Sequence, residues 1–222
     1  MTNAHDETTD PLTGLPTRRS FDSDLAAWVA QKRPSPEPLS LVIADVDLFG
    51  AINERHGRTG GDCVIAVLAK ALQAEFSDAA KVYRFGGDAL AVLLPDVEKE
   101  QAFLRMEQFR ATFSEEQDIA IGDDIVSMTV TVSMGLAAHP DDGSKALELV
   151  NKANEALYRA KVSGRNKICL AREEKMVTKT RMEMGKLSKL FSEVSAPVIA
   201  CWSGGRERPR RRTQVESLRE SE

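Results

Sequence analysis

Cysteine, histidine and long apolar runs are scarce in this sequence of 222 residues. The three cysteines, Cys63, Cys169 and Cys201, have no metal-binding spacing, so we expect them to be reduced thiols. The three histidines are isolated, and we assign none of them to chemistry. No apolar run has the length of a membrane span, and no basic and apolar signal segment opens the chain. We therefore expect a cytoplasmic protein without a membrane anchor.

Charge is distributed unevenly between the body of the chain and its end. Residues 171–222 hold 12 Lys/Arg and 8 Asp/Glu, so the first 170 residues carry about −8 although the whole chain carries −4. Residues 173–194 have apolar positions at helical spacing. Such a helix could pack on the chain's own domain or on a helix of a protein partner. The basic run at 206–212 lacks interleaved aromatics beyond Trp202, so a solvated, disordered tail is favoured over nucleic-acid binding.

A glycine pair followed by an aspartate lies between two apolar segments. Residues 82–85 and 90–94 have strand composition, and Gly86-Gly87 between them predicts a β-hairpin. Because glycine has no Cβ atom, such a turn lets the backbone approach a phosphate closely. Asp88 is then in place to hold a divalent cation against the same anion. An ordinary hairpin also accounts for Gly-Gly-Asp on its own.

A second acidic element lies upstream, where the apolar run 39–44 ends in Asp45-Val46-Asp47. A buried strand with such an end brings carboxylates to the edge of a sheet. We expect at most one of the two aspartates to aim at a shared site, and we predict that Asp45 and Asp88 share Mg²⁺. The alternative is that these acids cap the short helix that begins near Leu48.

Five blocks of sequence together resemble the GGDEF family of diguanylate cyclases, over about residues 8–170. In chain order they are residues 10–21, residues 45–49 with Asn53 and Gly61-Asp62, residues 84–88, residues 131–135, and residues 156–161 with Gly164-Arg165-Asn166. The resemblance implies an α/β (α+β) fold, a nucleotide-cyclase-like palm with a central mixed sheet flanked by helices. It also implies an activity in which two GTP molecules, one from each subunit of a homodimer, are joined into cyclic di-GMP.

The resemblance implies a role for each matching site residue. Asp45 and Asp88 correspond to catalytic residues, and with the main chain at Val46 they would bind Mg²⁺ or Mn²⁺. The implied substrate-binding residues are Phe49, Asn53, Asp62, Gly86, Gly87, Lys161 and Arg165. Independent chemistry supports guanine, because an Asp62 carboxylate accepts from its ring N–H and amino group but meets an acceptor in adenine.

Lys161 and Arg165 would hold the terminal phosphates. They are four residues apart, so we place them on one face of the last helix, as a cationic pair. The alternative is a solvated helix end with C-terminal cations and Gly164 as its cap.

The chain departs from the family pattern at several positions. Ala89 replaces the glutamate of the name motif, so the motif here is the degenerate Gly-Gly-Asp-Ala-Leu, and a methyl group neither binds a cation nor accepts a proton. Gly50 replaces a lysine, which removes an expected phosphate contact. The family's product-inhibition motif is absent from its window at 77–80. We therefore predict a GTP-binding domain with impaired catalysis; the alternative is an active but slow cyclase without product inhibition.

The periodicity predicts an alternation of helices and strands between two tails. We predict a flexible tail over 1–9, the GGDEF domain over 10–170, and a tail over 171–222 that is first helical and then disordered. The predicted helices are 17–32, a short one to His56, 61–76, 98–116 and 144–163. Besides the acidic strand and the hairpin, the predicted strands are 126–133, beside the acidic strand, and 167–170.

Overall fold

A computed structural model describes residues 8–31, 37–76 and 81–172. By their internal contacts the residues divide into two units, Met1–Glu173 and Glu174–Glu222, and every described residue belongs to the first. The window at 77–80, most of the predicted N-terminal tail and the predicted C-terminal tail from residue 173 onward lie outside the described residues. Thr8 and Thr9, at the end of the predicted N-terminal tail, are described; Thr9 forms a β-bridge with Pro16.

Four helices and seven strands form the described fold. The helices are α1 (Arg18–Ala30), α2 (Phe49–Phe76), α3 (Lys99–Phe113) and α4 (Ala146–Val162). The strands are β1 (Leu39–Val46), β2 (Lys81–Gly86), β3 (Ala89–Pro95), β4 (Glu116–Ile121), β5 (Asp124–Thr129), β6 (Val132–His139) and β7 (Ile168–Leu170).

A five-stranded mixed sheet in the order β2-β3-β1-β6-β7 is the centre of the fold. Only the β6–β7 pair is parallel. β1 is buried along its whole length, as its apolar sequence predicted. Val42 and Ala44 face a core with α2 and α3, whereas Leu41 and Ile43 face a second core with α1 and α4. The predicted α+β fold with a mixed sheet and flanking helices is therefore confirmed.

α4 packs tightly on the sheet at Gly135 of β6. A Cβ atom added there would lie 2.0 Å from the Ala153 carbonyl oxygen and 2.3 Å from the Leu157 amide nitrogen. Any larger residue would therefore push α4 away from the sheet. This close approach fixes α4, whose last turn carries Lys161, against the strands.

The predicted strand over 126–133 was wrong in its extent and in its partner. Residues up to Thr129 belong to β5, which pairs with β4 in a separate two-stranded sheet. The strand beside β1 is β6, which begins at Val132 after two residues outside any strand. Alternation of polar and apolar residues continues through this junction, so the sequence pattern hides the change of sheet. β4 was also missed: the helix predicted over 98–116 includes its first residue, and no element was predicted over 117–125.

Candidate functional site

Asp45 lies near the end of β1 and is 8% exposed. Lys161 Nζ of α4 lies 2.5 Å from Asp45 Oδ1, so the two residues form an ion pair. At this distance the ammonium group of Lys161 lies within hydrogen-bonding reach of the carboxylate oxygen. Burial raises the pKa of Asp45, Lys161 opposes this rise, and the charge of Asp88 adds to it. The site therefore contains a buried carboxylate that is paired with a lysine from the last turn of α4.

The hairpin tip lies beside this carboxylate. β2 ends at Gly86 and β3 begins at Ala89, so the turn consists of Gly87 and Asp88 rather than of the two glycines. Gly87 has φ 46°, a conformation that suits glycine. A Cβ atom at either glycine would meet no atom within 4 Å, so the surface above the turn is open. The Val46 N–H donates to the Asp88 carbonyl at 3.4 Å, which ties the tip to the end of β1.

Ala89 is the direct cross-strand neighbour of Asp45. The β1–β3 register pairs these two residues. Opposite residues in an antiparallel pair have Cβ atoms about 4.5–5.5 Å apart and project from the same face of the sheet. A carboxylate at position 89 would therefore stand beside Asp45, and a methyl group occupies that place.

Phe49, Asn53 and Asp62 lie on α2. The helix is interrupted at Gly57, which has φ 71° and ψ 174°, so its two arms fold against each other. A Cβ atom at Gly61 would lie 2.0 Å from Asn53 Oδ1 and 2.9 Å from Phe49 Cζ. Gly61 thus lets the Asn53 amide and the Phe49 ring pack directly on the second arm. Asp62 is the next residue along that arm and is exposed.

Lys161 and Arg165 do not share a helix, contrary to the prediction. α4 ends at Val162, and the exposed Arg165 lies in the following turn with φ 61°. Gly164 has φ 113°, and the Arg165 N–H donates to the Ala160 carbonyl at 3.0 Å. This is the glycine-capped helix end that the alternative interpretation described. Lys161 reaches Asp45 from the last turn of α4, whereas Arg165 is placed by the turn.

Asp47 has a structural role that the sequence did not reveal. It is 5% exposed, and its Oδ1 accepts the Ser133 hydroxyl at 2.6 Å. Its Oδ2 accepts the Thr131 hydroxyl at 2.8 Å and the Asn166 N–H at 2.9 Å. The carboxylate therefore joins β1, β6 and the turn after α4. Both of its oxygens accept hydrogen bonds from these donors. The alternative interpretation, in which Asp47 caps the helix that follows, is therefore wrong.

The residues present fit a divalent cation. Asp45 offers a buried carboxylate that already attracts a cation, the ammonium group of Lys161, and Asp88 is near enough for its charge to raise the pKa of Asp45. Hard cations such as Mg²⁺ take oxygen ligands from one or two carboxylates and complete their shell with phosphate and water. No group of three His, Cys, Asp or Glu side chains with metal-binding geometry occurs within 8–31, 37–76 and 81–172. Asp45 and Asp88 are the two carboxylates that would share such a cation.

A family comparison identifies the class of protein that this fold and site define. The model of the family described as "Diguanylate cyclase, GGDEF domain" matches residues 7–167. This match covers well over half of the chain, and the chain therefore belongs to the GGDEF domain family. The resemblance inferred from the five sequence blocks is confirmed.

Curated relatives support the same family. The chain is 35% identical over 164 residues to diguanylate cyclase DgcP of Pseudomonas aeruginosa, a match that covers 73% of this chain and 24% of the relative. It is 33% identical over 165 residues to a diguanylate cyclase of Vibrio cholerae, covering 74% of this chain and 50% of the relative. The chain thus spans half or less of the length of these two relatives.

Solved structures agree with the fold. The GGDEF domain of DgcB from Caulobacter crescentus, in complex with c-di-GMP, matches with a TM-score of 0.69 and 26% identity, covering 78% of this chain and 98% of that one. The active GGEEF domain of a Vibrio cholerae diguanylate cyclase matches with a TM-score of 0.62 and 30% identity, covering 71% and 98%. Within the described residues, no helix combines the length and the apolar character that a membrane span requires.

Proposed function

We propose that this GGDEF domain binds GTP together with Mg²⁺ or Mn²⁺ and that Ala89 impairs its catalysis. In this proposal Asp45, Asp88 and the Val46 main chain hold the cation. Asn53 and Asp62, with Phe49 beside them, bind guanine. Gly86 and Gly87 admit the phosphates, and Lys161 and Arg165 bind the terminal ones. The cation, when bound, would neutralise phosphate charge at the reacting centre.

The Asp45–Ala89 register carries the proposal. Asp45, Asp88 and Lys161 are assembled at one edge of the sheet, which supports retained binding of a metal–nucleotide complex. The position across from Asp45 has no group that accepts a proton or binds a cation, which supports slow or absent chemistry. Loss of one such group commonly costs about 10²-fold to 10⁴-fold in rate.

The second candidate is an active, slow diguanylate cyclase without product inhibition. The intact pair of Asp45 and Asp88 favours it, since two carboxylates suffice to hold a cation. In either case we propose that catalysis needs a homodimer, each subunit presenting one GTP. A protein partner for the C-terminal segment is a further proposal, on residues outside the described ones. We place the activity in the cytoplasm, where GTP is available.

Nucleotide binding tests the first half of the proposal. Calorimetry with GTP and with ATP, each with and without Mg²⁺, should show metal-dependent binding of GTP and much weaker binding of ATP. Asp62→Ala should lower GTP affinity by about 1–3 kcal/mol, the usual cost of losing a hydrogen bond to a charged group. Equal affinities for GTP and ATP in the wild-type protein would contradict the guanine assignment.

Restoring the carboxylate tests the second half. The wild-type protein and Ala89→Glu are incubated with GTP and Mg²⁺ or Mn²⁺, and linear and cyclic dinucleotides are separated by chromatography. Ala89→Glu should raise cyclic di-GMP synthesis on the order of 10²-fold or more with little change in GTP affinity, because the recovered group acts in the transition state.

Gly50 requires a second variant. A Cβ atom at Gly50 would meet no atom within 4 Å, so a lysine fits there. The double variant Gly50→Lys with Ala89→Glu restores both the phosphate contact and the acid. If this protein is folded and binds GTP but makes no dinucleotide, Ala89 is not the main defect. If the wild-type protein already makes cyclic di-GMP at a rate similar to Ala89→Glu, the second candidate function is correct.

A further inference from the structure

Three consecutive residues after α4 have positive φ. The values are 113° at Gly164, 61° at Arg165 and 43° at Asn166. Glycine adopts such angles freely, and asparagine tolerates them, but for arginine this conformation is uncommon. Backbone of this kind persists only where surrounding contacts over-determine it, and it is concentrated at ligand-binding sites. The contacts that hold this turn are therefore informative.

Asn166 is held from both ends. Its backbone N–H donates to Asp47 Oδ2 at 2.9 Å. Its side-chain Oδ1 accepts from Arg110 Nη1 of α3 at 2.7 Å. Arg165, in contrast, has an exposed side chain, and its backbone N–H is bonded to Ala160. The turn is thus anchored on each side of Arg165, while its guanidinium group faces solvent.

The two groups that hold Asn166 are themselves fixed. Asp47 is buried and also accepts the hydroxyl groups of Thr131 and Ser133. The Arg110 guanidinium donates to both carboxylate oxygens of Glu107, at 2.5 and 2.9 Å. A two-point contact of this kind fixes the plane of the guanidinium group. Asn166 is therefore held between two fixed groups, Asp47 just after β1 and Arg110 on α3.

We propose that Asn166, clamped by Asp47 and Arg110, is a positioning residue that holds the left-handed turn so that Arg165 is presented to the terminal phosphate of the bound nucleotide. This inference rests on the proposed GTP-binding function. Pre-organisation of the turn removes an ordering cost that a flexible arginine would pay on binding. The effect acts through Arg165 alone, so it applies to GTP, which has β- and γ-phosphates, and not to GMP, which has only the α-phosphate.

The test uses Arg110→Met, which leaves the turn sequence unchanged and removes one side of the clamp. GTP and GMP affinities are measured by displacement of a fluorescent guanine nucleotide in the presence of Mg²⁺. Arg110→Met should weaken GTP binding about 3-fold to 10-fold and leave GMP binding within about 2-fold of the wild-type value, on the scale of a partly lost charged contact. In an Arg165→Ala background, Arg110→Met should have no further effect on GTP affinity.

Lys99→Met is the matched control. Lys99 is also a half-buried cation of α3, but it pairs with Asp142 at 2.8 Å, away from the turn. Its removal should lower thermal stability without changing the ratio of GTP to GMP affinity. If Arg110→Met does not fold, Asn166→Gly is measured instead, since glycine keeps the backbone conformation accessible while the clamping amide is lost. The same selective loss for GTP is expected.

Several outcomes would overturn the inference. Equal losses of GTP and GMP affinity in Arg110→Met would indicate general destabilisation. A full effect of Arg110→Met in the Arg165→Ala background would show that the clamp does not act through Arg165. If Arg165→Ala alone leaves GTP affinity unchanged, both the inference and the assignment of Arg165 fail, although nucleotide binding itself stands. Failure of the wild-type protein to bind GTP would instead contradict the proposed function.

Discussion

Asp45 and Asp47 are two residues apart at the end of β1 and are buried to a similar degree, 8% and 5% exposed, yet their surroundings differ. Asp47 accepts three hydrogen bonds, which satisfy both of its oxygens. Asp45 has a raised pKa and forms an ion pair with the partly exposed ammonium group of Lys161. Lysine has a flexible side chain, 35% exposed here, so its ammonium group can leave Asp45 to a ligand, whereas the donors to Asp47 are held by the fold. The comparison separates an acid that supports the fold from one that is available for binding.

The largest expected effect that distinguishes the two acids is on metal binding. Asp45→Asn should lower Mn²⁺ affinity on the order of 10²-fold, because a neutral amide is a poor ligand for a hard cation. Asp47→Asn should leave Mn²⁺ affinity nearly unchanged. Titration with Mn²⁺ in the absence of nucleotide, followed by electron paramagnetic resonance, measures both. Equal losses in the two variants would mean that Asp47, too, belongs to the metal site.

The next effect is on stability, where the order of the two acids is reversed. Asp47→Ala leaves Thr131, Ser133 and Asn166 without their acceptor, so it should lower the free energy of unfolding by about 3 kcal/mol. Asp45→Ala removes a carboxylate whose charged form the fold disfavours, so it should cost much less. Urea unfolding of both variants provides the comparison. A larger loss in Asp45→Ala would contradict the division of roles.

Much of the fold was predictable because it depends on local patterns. β1, the hairpin and α4 each follow from a run of apolar residues with a turn signal at its end. The interruption of α2 was also predicted, since a short helix to His56 was separated from the helix that follows. The β4–β5 pair was not, because alternation identifies a strand without identifying its sheet.

The site was predictable in its residue types and less so in its geometry. Asp47 bonds to Thr131 and Asn166, which are 84 and 119 positions away, and no local signal records such distant contacts. The Asp45–Ala89 register likewise depends on strand pairing. Arg165 was misplaced because a spacing of four suggests one helix face, whereas Gly164 ends the helix between the two cations.

A smaller effect is expected when Lys161 is replaced, and it should have opposite signs for metal affinity and for nucleotide affinity. Its ammonium group occupies the neighbourhood of Asp45 Oδ1, where a cation would bind. Lys161→Met should therefore raise Mn²⁺ affinity a few-fold without nucleotide, while lowering GTP affinity about 10-fold through loss of a charged phosphate contact. Calorimetry measures both. Lys145→Met is the control, because this exposed cation precedes the same helix and pairs with Glu148. If both affinities fall in Lys161→Met, the lysine does not compete with the cation.

The smallest expected effect is a pH dependence of stability that belongs to Asp45 and not to Asp47. Burial raises the pKa of Asp45 in the folded protein above its ordinary value of 3.8, so the folded state holds this proton over a range in which the unfolded state has released it. As pH rises from about 3.9 through the raised pKa, the contribution of Asp45 to the free energy of unfolding should therefore fall.

Other carboxylates titrate in the same range, and Asp24, whose pKa is lowered mainly by the Tyr83 hydroxyl, contributes with the opposite sign. The quantity to measure is thus the difference between Asp45→Asn and the wild-type protein in urea unfolding, at several pH values without metal. Asp45→Asn should gain stability relative to wild type as pH rises through that range and keep the gain at neutral pH. A difference that does not change with pH would show that Asp45 is as well solvated as an ordinary aspartate, and the distinction from Asp47 would then rest on hydrogen bonding alone.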